Sequence, residues 1–265
     1  MEPTNIEPTT IDTEVKVPVA IQPAEKKETN YVLPSAILIA SILISGSILY
    51  TNGVSGGNSV VKSAKTTASA PTSAPSLENM KPVDKNDHTR GNLDARIIVV
   101  EYSDPECPYC KVFHATMQRL MSEYGGDNKL AWVYRNFPID SLHSKAREEA
   151  EANECASVLG GNTAYWAYLD ELFKRTNSNN SLDLAELPKI ATDIGLNLSQ
   201  FNKCVESGKT KEKVDSDTAD AIALGARGTP FSVLINTKTG EKTEIMGAQP
   251  YDVLKQKIEA VLLTQ

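Results

Sequence analysis

Cys107 and Cys110 flank Pro108 and Tyr109 in the run Asp104-Pro105-Glu106-Cys107-Pro108-Tyr109-Cys110-Lys111. Two thiols at this spacing can close a disulfide and exchange it with an outside thiol, or supply half of a tetrahedral zinc site. Zinc needs two further ligands at comparable spacing, whereas Cys155 and Cys204 stand alone and His88, His114 and His143 are scattered. The pattern therefore favours redox exchange with neither metal nor cofactor, and Cys107 is the candidate nucleophile.

The flanking residues say how such a pair is positioned. The apolar run Ile97-Ile98-Val99-Val100 reads as a buried strand, and Val112, Phe113, Leu120 and Met121 follow at helical spacing. The cysteines thus sit at a strand-to-helix junction, where the first N–H groups of the helix lack intrahelical acceptors and its dipole is positive. That field stabilises a thiolate on Cys107. Pro108 suits the first helical position, which needs no N–H. Cys110 lies one turn on, on the same face, where it can resolve a mixed disulfide. Tyr109, between the cysteines, is expected with Pro108 to tune the redox potential.

The run from Val100 to Cys110 resembles the active-site segment of the DsbA-like branch of the thioredoxin superfamily. In thioredoxin-like proteins an acid at the position of Glu101 relays protons to and from the second cysteine, and burial would raise its pKa as such a shuttle requires. The other reading of Glu101 is a solvated carboxylate at a strand end. Gly225-Ala226-Arg227-Gly228-Thr229-Pro230-Phe231 is similar to the family's approach to a cis-proline opposite the cysteines. There Pro230 would withhold an N–H and leave the Thr229 backbone free to pair with a substrate peptide. The resemblance also implies a structural disulfide between Cys155 and Cys204, as some relatives have; two separate buried thiols are the alternative. His114 and His143 match positions often held by histidine, with packing or capping roles.

The chain has 265 residues, a formal net charge of −7 and four cysteines. The acidic balance argues against nucleic-acid binding, and an even cysteine count with one C-x-x-C suits an oxidising compartment. Residues 1–30, rich in Pro, Thr and Glu, read as a disordered cytoplasmic tail. Tyr31 to Tyr50 is uncharged and long enough to span a bilayer, with a tyrosine at each interface; cleavage as a signal peptide is the competing reading. Residues 51–79 read as a flexible linker. The folded part, 80–265, shows strand signals at 97–102, 130–137, 231–235 and 242–246. A helical block lies at about 141–224, in five stretches beginning with 141–159 and 163–173, and a last helix near 251–263. The charges of Arg147, Glu148, Glu149 and Glu151 read as a solvated helix face.

The expected fold is α/β, a thioredoxin fold with an inserted helical domain, preceded by one transmembrane helix and a linker. The expected activity is that of a membrane-anchored thiol:disulfide oxidoreductase outside the cytoplasm, introducing disulfides into secreted or membrane proteins. A membrane quinone-coupled reoxidase of DsbB or vitamin-K-epoxide-reductase type is the partner the resemblance implies. A reductase or isomerase of the same fold, or a tethered metal-delivery module, are the alternatives.

Overall fold

A computed structural model describes residues 75–263. The tail, the apolar stretch 31–50 and most of the linker lie outside the described residues, and among those described no helix is long and apolar enough to cross a membrane. The fold begins a few residues before the expected boundary at 80. Leu77–Asn79 forms a 3-10 turn, with the Ser76 hydroxyl accepting the Glu78 N–H at 3.2 Å. Leu77 and Met80 both pack against the core. Two apolar residues in a Ser- and Pro-rich stretch are too few to register in composition.

Five strands form one sheet: β1 His88–Arg90, β2 Ile97–Ser103, β3 Leu130–Asn136, β4 Phe231–Asn236 and β5 Lys242–Met246, in the order β1-β3-β2-β4-β5. The helices are α1 Pro108–Tyr124, α2 Ala146–Arg175, α3 Leu187–Asp193, α4 Leu198–Ser207, α5 Lys211–Leu224 and α6 Tyr251–Leu263. β2 is central, parallel to β3 and antiparallel to β4, and every one of its residues is buried. A strand covered on both faces has no polar side to alternate with, which is why it shows as the unbroken run Ile97 to Val100. Ile97 and Val99 pack with α1, α6 and the C-terminal half of α2, while Ile98, Val100 and Tyr102 pack with α5 and the N-terminal turn. By the same alternation Glu101 and Ser103 point toward α1. β1, three residues at the sheet edge, was not anticipated; so short a segment carries no periodicity.

The helical insertion has its own core, in which Tyr168, Leu172, Leu187, Ile190 and Phe201 surround a Cys155–Cys204 disulfide joining α2 to α4. The expected helices at 141–159 and 163–173 are one nearly continuous element, interrupted at Gly161 (φ 67°, ψ −163°), a conformation open in practice only to glycine. It starts at Ala146 rather than Ser141, because the Asp104 carboxylate takes the Ile139 N–H at 2.7 Å and meets His143 Nδ1 at 2.9 Å, holding the preceding segment in a loop. The solvated-face reading also needs correction: Glu149 is fully buried. It falls on the same helical stripe as the buried Ala152 and Ala156, and alanines too small to announce a core face hid it.

Candidate active site

The β2–α1 junction places the cysteines as their spacing demands. Cys107 caps α1 in an extended conformation, Pro108 occupies the first turn, and the Lys111 N–H donates to the Cys107 carbonyl at 3.1 Å. Both cysteines are thiols here, yet their surroundings differ sharply. The Cys107 thiol is pulled down to about 6, chiefly by the hydrogen bond from Cys110, and further by Thr229 and the N–H groups of Cys110 and Tyr109, which outweigh its burial. The Cys110 thiol is pushed well above its ordinary value by complete burial, then by Cys107 and Glu101. It accepts the Asp104 N–H at 3.4 Å. At neutral pH the pair holds one proton, on Cys110.

Glu101 lies beneath this pair. It is 0% exposed, its Oε2 accepts the Trp132 indole N–H at 2.9 Å, and burial lifts its carboxyl to about 8 against the pull of Ser103 and Trp132. The solvated-carboxylate reading is thereby overturned: β2 is central, so even its far end lies under α1. A buried acid that titrates near neutrality can give a proton to Cys110 or take one from it.

The opposite wall is the segment after α5. Gly225 ends that helix in the left-handed region (φ 88°), turning the chain toward Thr229-Pro230, whose peptide bond is cis. When Cys107 carries its proton, its Sγ–H donates to the Thr229 carbonyl at 3.4 Å. Tyr109 and Val112, 65% and 59% exposed, and Leu142, 68% exposed, are large apolar side chains left open to solvent on α1 and the loop before α2.

Three features escaped the sequence. Glu106, fully buried beside Cys107, accepts the Thr176 hydroxyl at 2.8 Å and the Asn180 N–H at 2.6 Å. It thereby pins a loop in which Ser178, Asn179 and Asn180 all have positive φ. Glu149 lies against Glu106, and burial and that neighbour raise its carboxyl to about 10, so it is protonated at neutral pH. His114 and His143, expected to pack or cap, do have partners: His114 Nε2 lies 2.8 Å from Asp170, and His143 meets Asp104. No local pattern signalled any of this in advance, since the stripe through Glu149 is carried by alanines. Among the described residues, no cluster of three or more His, Cys, Asp or Glu is placed to hold a metal ion.

The model of a family described as thioredoxin matches residues 83–259. Among solved structures, DsbA2 of Pseudomonas aeruginosa superposes with a TM-score of 0.58 at 25% identity, covering 70% of this chain and 100% of that one. A thioredoxin-like oxidoreductase of Silicibacter pomeroyi DSS-3 gives 0.56 at 25% identity, covering 69% and 95%. BdbD of Bacillus subtilis gives 0.58 at 20% identity, covering 71% and 95%, a likeness of fold. Curated relatives include the Na(+)/H(+) antiporters NhaA 1 of Mycolicibacterium gilvum (strain PYR-GCK), 32% identical over 165 residues, and NhaA of Herminiimonas arsenicoxydans, 35% identical over 150. Those matches cover 61% and 56% of this chain but only 25% and 22% of the relatives, so the chain spans about a quarter of their length.

Proposed function

The chain belongs to the thioredoxin family, and from that premise we propose that it is a DsbA-like thiol:disulfide oxidoreductase acting on thiol-containing proteins, and that it works as an oxidase, introducing disulfides outside the cytoplasm. The observation that carries this reading is the split between Cys107, held near 6, and Cys110, held well above its ordinary value. A stabilised thiolate on Cys107 makes the reduced enzyme favourable, and hence its disulfide a strong oxidant.

In the forward reaction a substrate thiolate attacks Cys107 Sγ of the enzyme disulfide. The Cys107–Cys110 bond breaks, its electron pair leaves on Cys110 Sγ, and Glu101 supplies the proton that this buried sulfur requires. A second substrate thiolate attacks the substrate sulfur of the mixed disulfide, and Cys107 departs as its stabilised thiolate. Substrate loses two electrons to the enzyme. Pro230 cannot donate an N–H, so the Thr229 backbone beside Cys107 is available to an extended substrate segment; Tyr109, Val112 and Leu142 offer it apolar contact.

An extracytoplasmic setting is supported by the structural Cys155–Cys204 disulfide, which persists in oxidising compartments, and by the uncharged Tyr31 to Tyr50 stretch as a membrane anchor. A membrane quinone-coupled protein of DsbB or vitamin-K-epoxide-reductase type would then take up the two electrons. The measurement that decides is the Cys107–Cys110 potential: an oxidase lies above about −200 mV, whereas a value close to about −270 mV makes the protein a reductase.

A further inference from the structure

Cys110 is 0% exposed and Glu101 equally so, and a polypeptide joined to Cys107 would cover the one sulfur of the pair that is not fully enclosed, itself only 5% exposed. Protons that pass between Cys110 and Glu101 must still reach solvent. Sheet register sets Tyr134 on one side of Glu101 and Ser232 on the other. Glu101 Oε1, Ser103 Oγ, Tyr134 OH, Ser232 Oγ and, from α2, Tyr165 OH are buried oxygens without a close hydrogen bond in the protein, although Ser103 is near enough to Glu101 and Tyr134 to pull on both. Buried oxygens of this kind are ordinarily satisfied by ordered water.

The rings of Tyr134 and Tyr165 meet edge-on at 6.1 Å, and the His88 ring stacks on Tyr165 at 3.4 Å. His88 Nε2 lies 2.8 Å from the Glu154 carboxylate, which also accepts the Asn136 amide at 2.7 Å. His88 and Glu154 in turn line an open cavity of about 330 Å³ with Lys85, Asn162 and Lys213; no residue facing Cys107 contributes to it. The Tyr165 hydroxyl is held far above its ordinary value by burial first, then by Glu154, Tyr134, Asp217 and Glu101. It therefore feels the carboxylates at both ends and stays a neutral hydroxyl, able to accept one proton while releasing another.

We infer that the Tyr134 and Tyr165 hydroxyls, bridged by water, conduct protons between Glu101 and the Glu154–His88 pair, which exchanges them with solvent at a mouth separate from the substrate face. Neither tyrosine touches substrate; both act through Glu101. The inference rests on the proposed disulfide exchange. In the oxidative direction of the enzyme itself, the Cys107 thiolate attacks an outside disulfide and one thiolate leaves. Glu101, having released its own proton along the path, takes the proton of the Cys110 thiol, and the Cys110 sulfur displaces the second thiolate from Cys107. Opening of the enzyme disulfide draws a proton in along the path, and this closing step sends one out.

The test is stopped-flow tryptophan fluorescence on the full chain, reduced and mixed with excess glutathione disulfide, in H2O and D2O. The first phase loads glutathione on Cys107 and the second closes the ring. Tyr165→Phe and Glu154→Gln, with Tyr134→Phe as a third variant should either fail to fold, are expected to slow the second phase about tenfold, less than loss of the acid itself. They should enlarge its solvent isotope effect and leave the first phase and the Cys107 titration unchanged. Wild-type second-phase rates and isotope effects in these variants would overturn the path, as would a loss shared equally by both phases, which marks a packing defect. Absence of the first phase in the unaltered protein would instead overturn the disulfide-exchange reading beneath it.

Discussion

The chain carries two cysteine pairs in opposite surroundings. Cys155 and Cys204 lie in the insertion among Tyr168, Leu172 and Phe201, bonded to each other and with no ionisable partner. Cys107 and Cys110 stand at a helix start, with a buried acid below and a backbone carbonyl across from them. Sulfur chemistry is common to both, so the difference in role lies in what the fold aims at each atom. A pair sealed in apolar packing is inert and contributes stability. A pair at a helix start, with its two thiols titrating far apart, can trade electrons.

Substitutions can break or sharpen that contrast. The largest effect is expected from Cys107→Ser, which should abolish oxidation of a reduced dithiol peptide by at least about a thousandfold, while Cys155→Ala/Cys204→Ala retains activity wherever it is folded. If the double variant lost the chemistry and Cys107→Ser kept it, the roles would be reversed. The double variant should instead lose about 4 kcal/mol of stability in denaturant titration, given a sequence separation of 49.

Glu101→Gln should slow closure of the Cys107–Cys110 ring about a hundredfold and erase the inflection near pH 8 from its rate profile. Its effect on stability runs the other way. The Glu101 carboxyl stays protonated to about pH 8 in the fold and ionises near 4.5 in the unfolded chain. The unfolded state therefore gains as pH climbs through that window, and the glutamine variant should exceed the parent at pH 8–9 by roughly 2–5 kcal/mol in the same titration. The smallest effect is expected at Tyr109, 65% exposed. Tyr109→Ala should move the redox potential by some tens of millivolts and stability by under about 0.5 kcal/mol. An unchanged thiolate midpoint near 6 in absorbance at 240 nm would confirm that helix and disulfide partner, not the tyrosine ring, set the Cys107 titration.

Much of the active-site frame was legible along the chain because it is local. A buried strand, a C-P-x-C and a helix in series fix the junction, and backbone N–H groups there act within one turn. Gly225 to Phe231 could be placed through its resemblance alone, since nothing local says which strand it will face. Glu106, Glu149 and the Ser178–Asn180 loop were not legible. Their meaning comes from approach between segments far apart in sequence, and a carboxylate reads as surface until another element covers it. The same holds for Tyr134 and Tyr165, which as residues are ordinary core aromatics.

What residue order determined by itself was the reactive motif, its placement at a helix start and the α/β pattern with a helical block, because these depend on periodicity and neighbours. Tertiary structure alone decided which acid would be buried, which thiol would keep its proton and which hydroxyls would be buried near them. Desolvation is set by everything that packs around a group, and no stretch of chain contains its own surroundings.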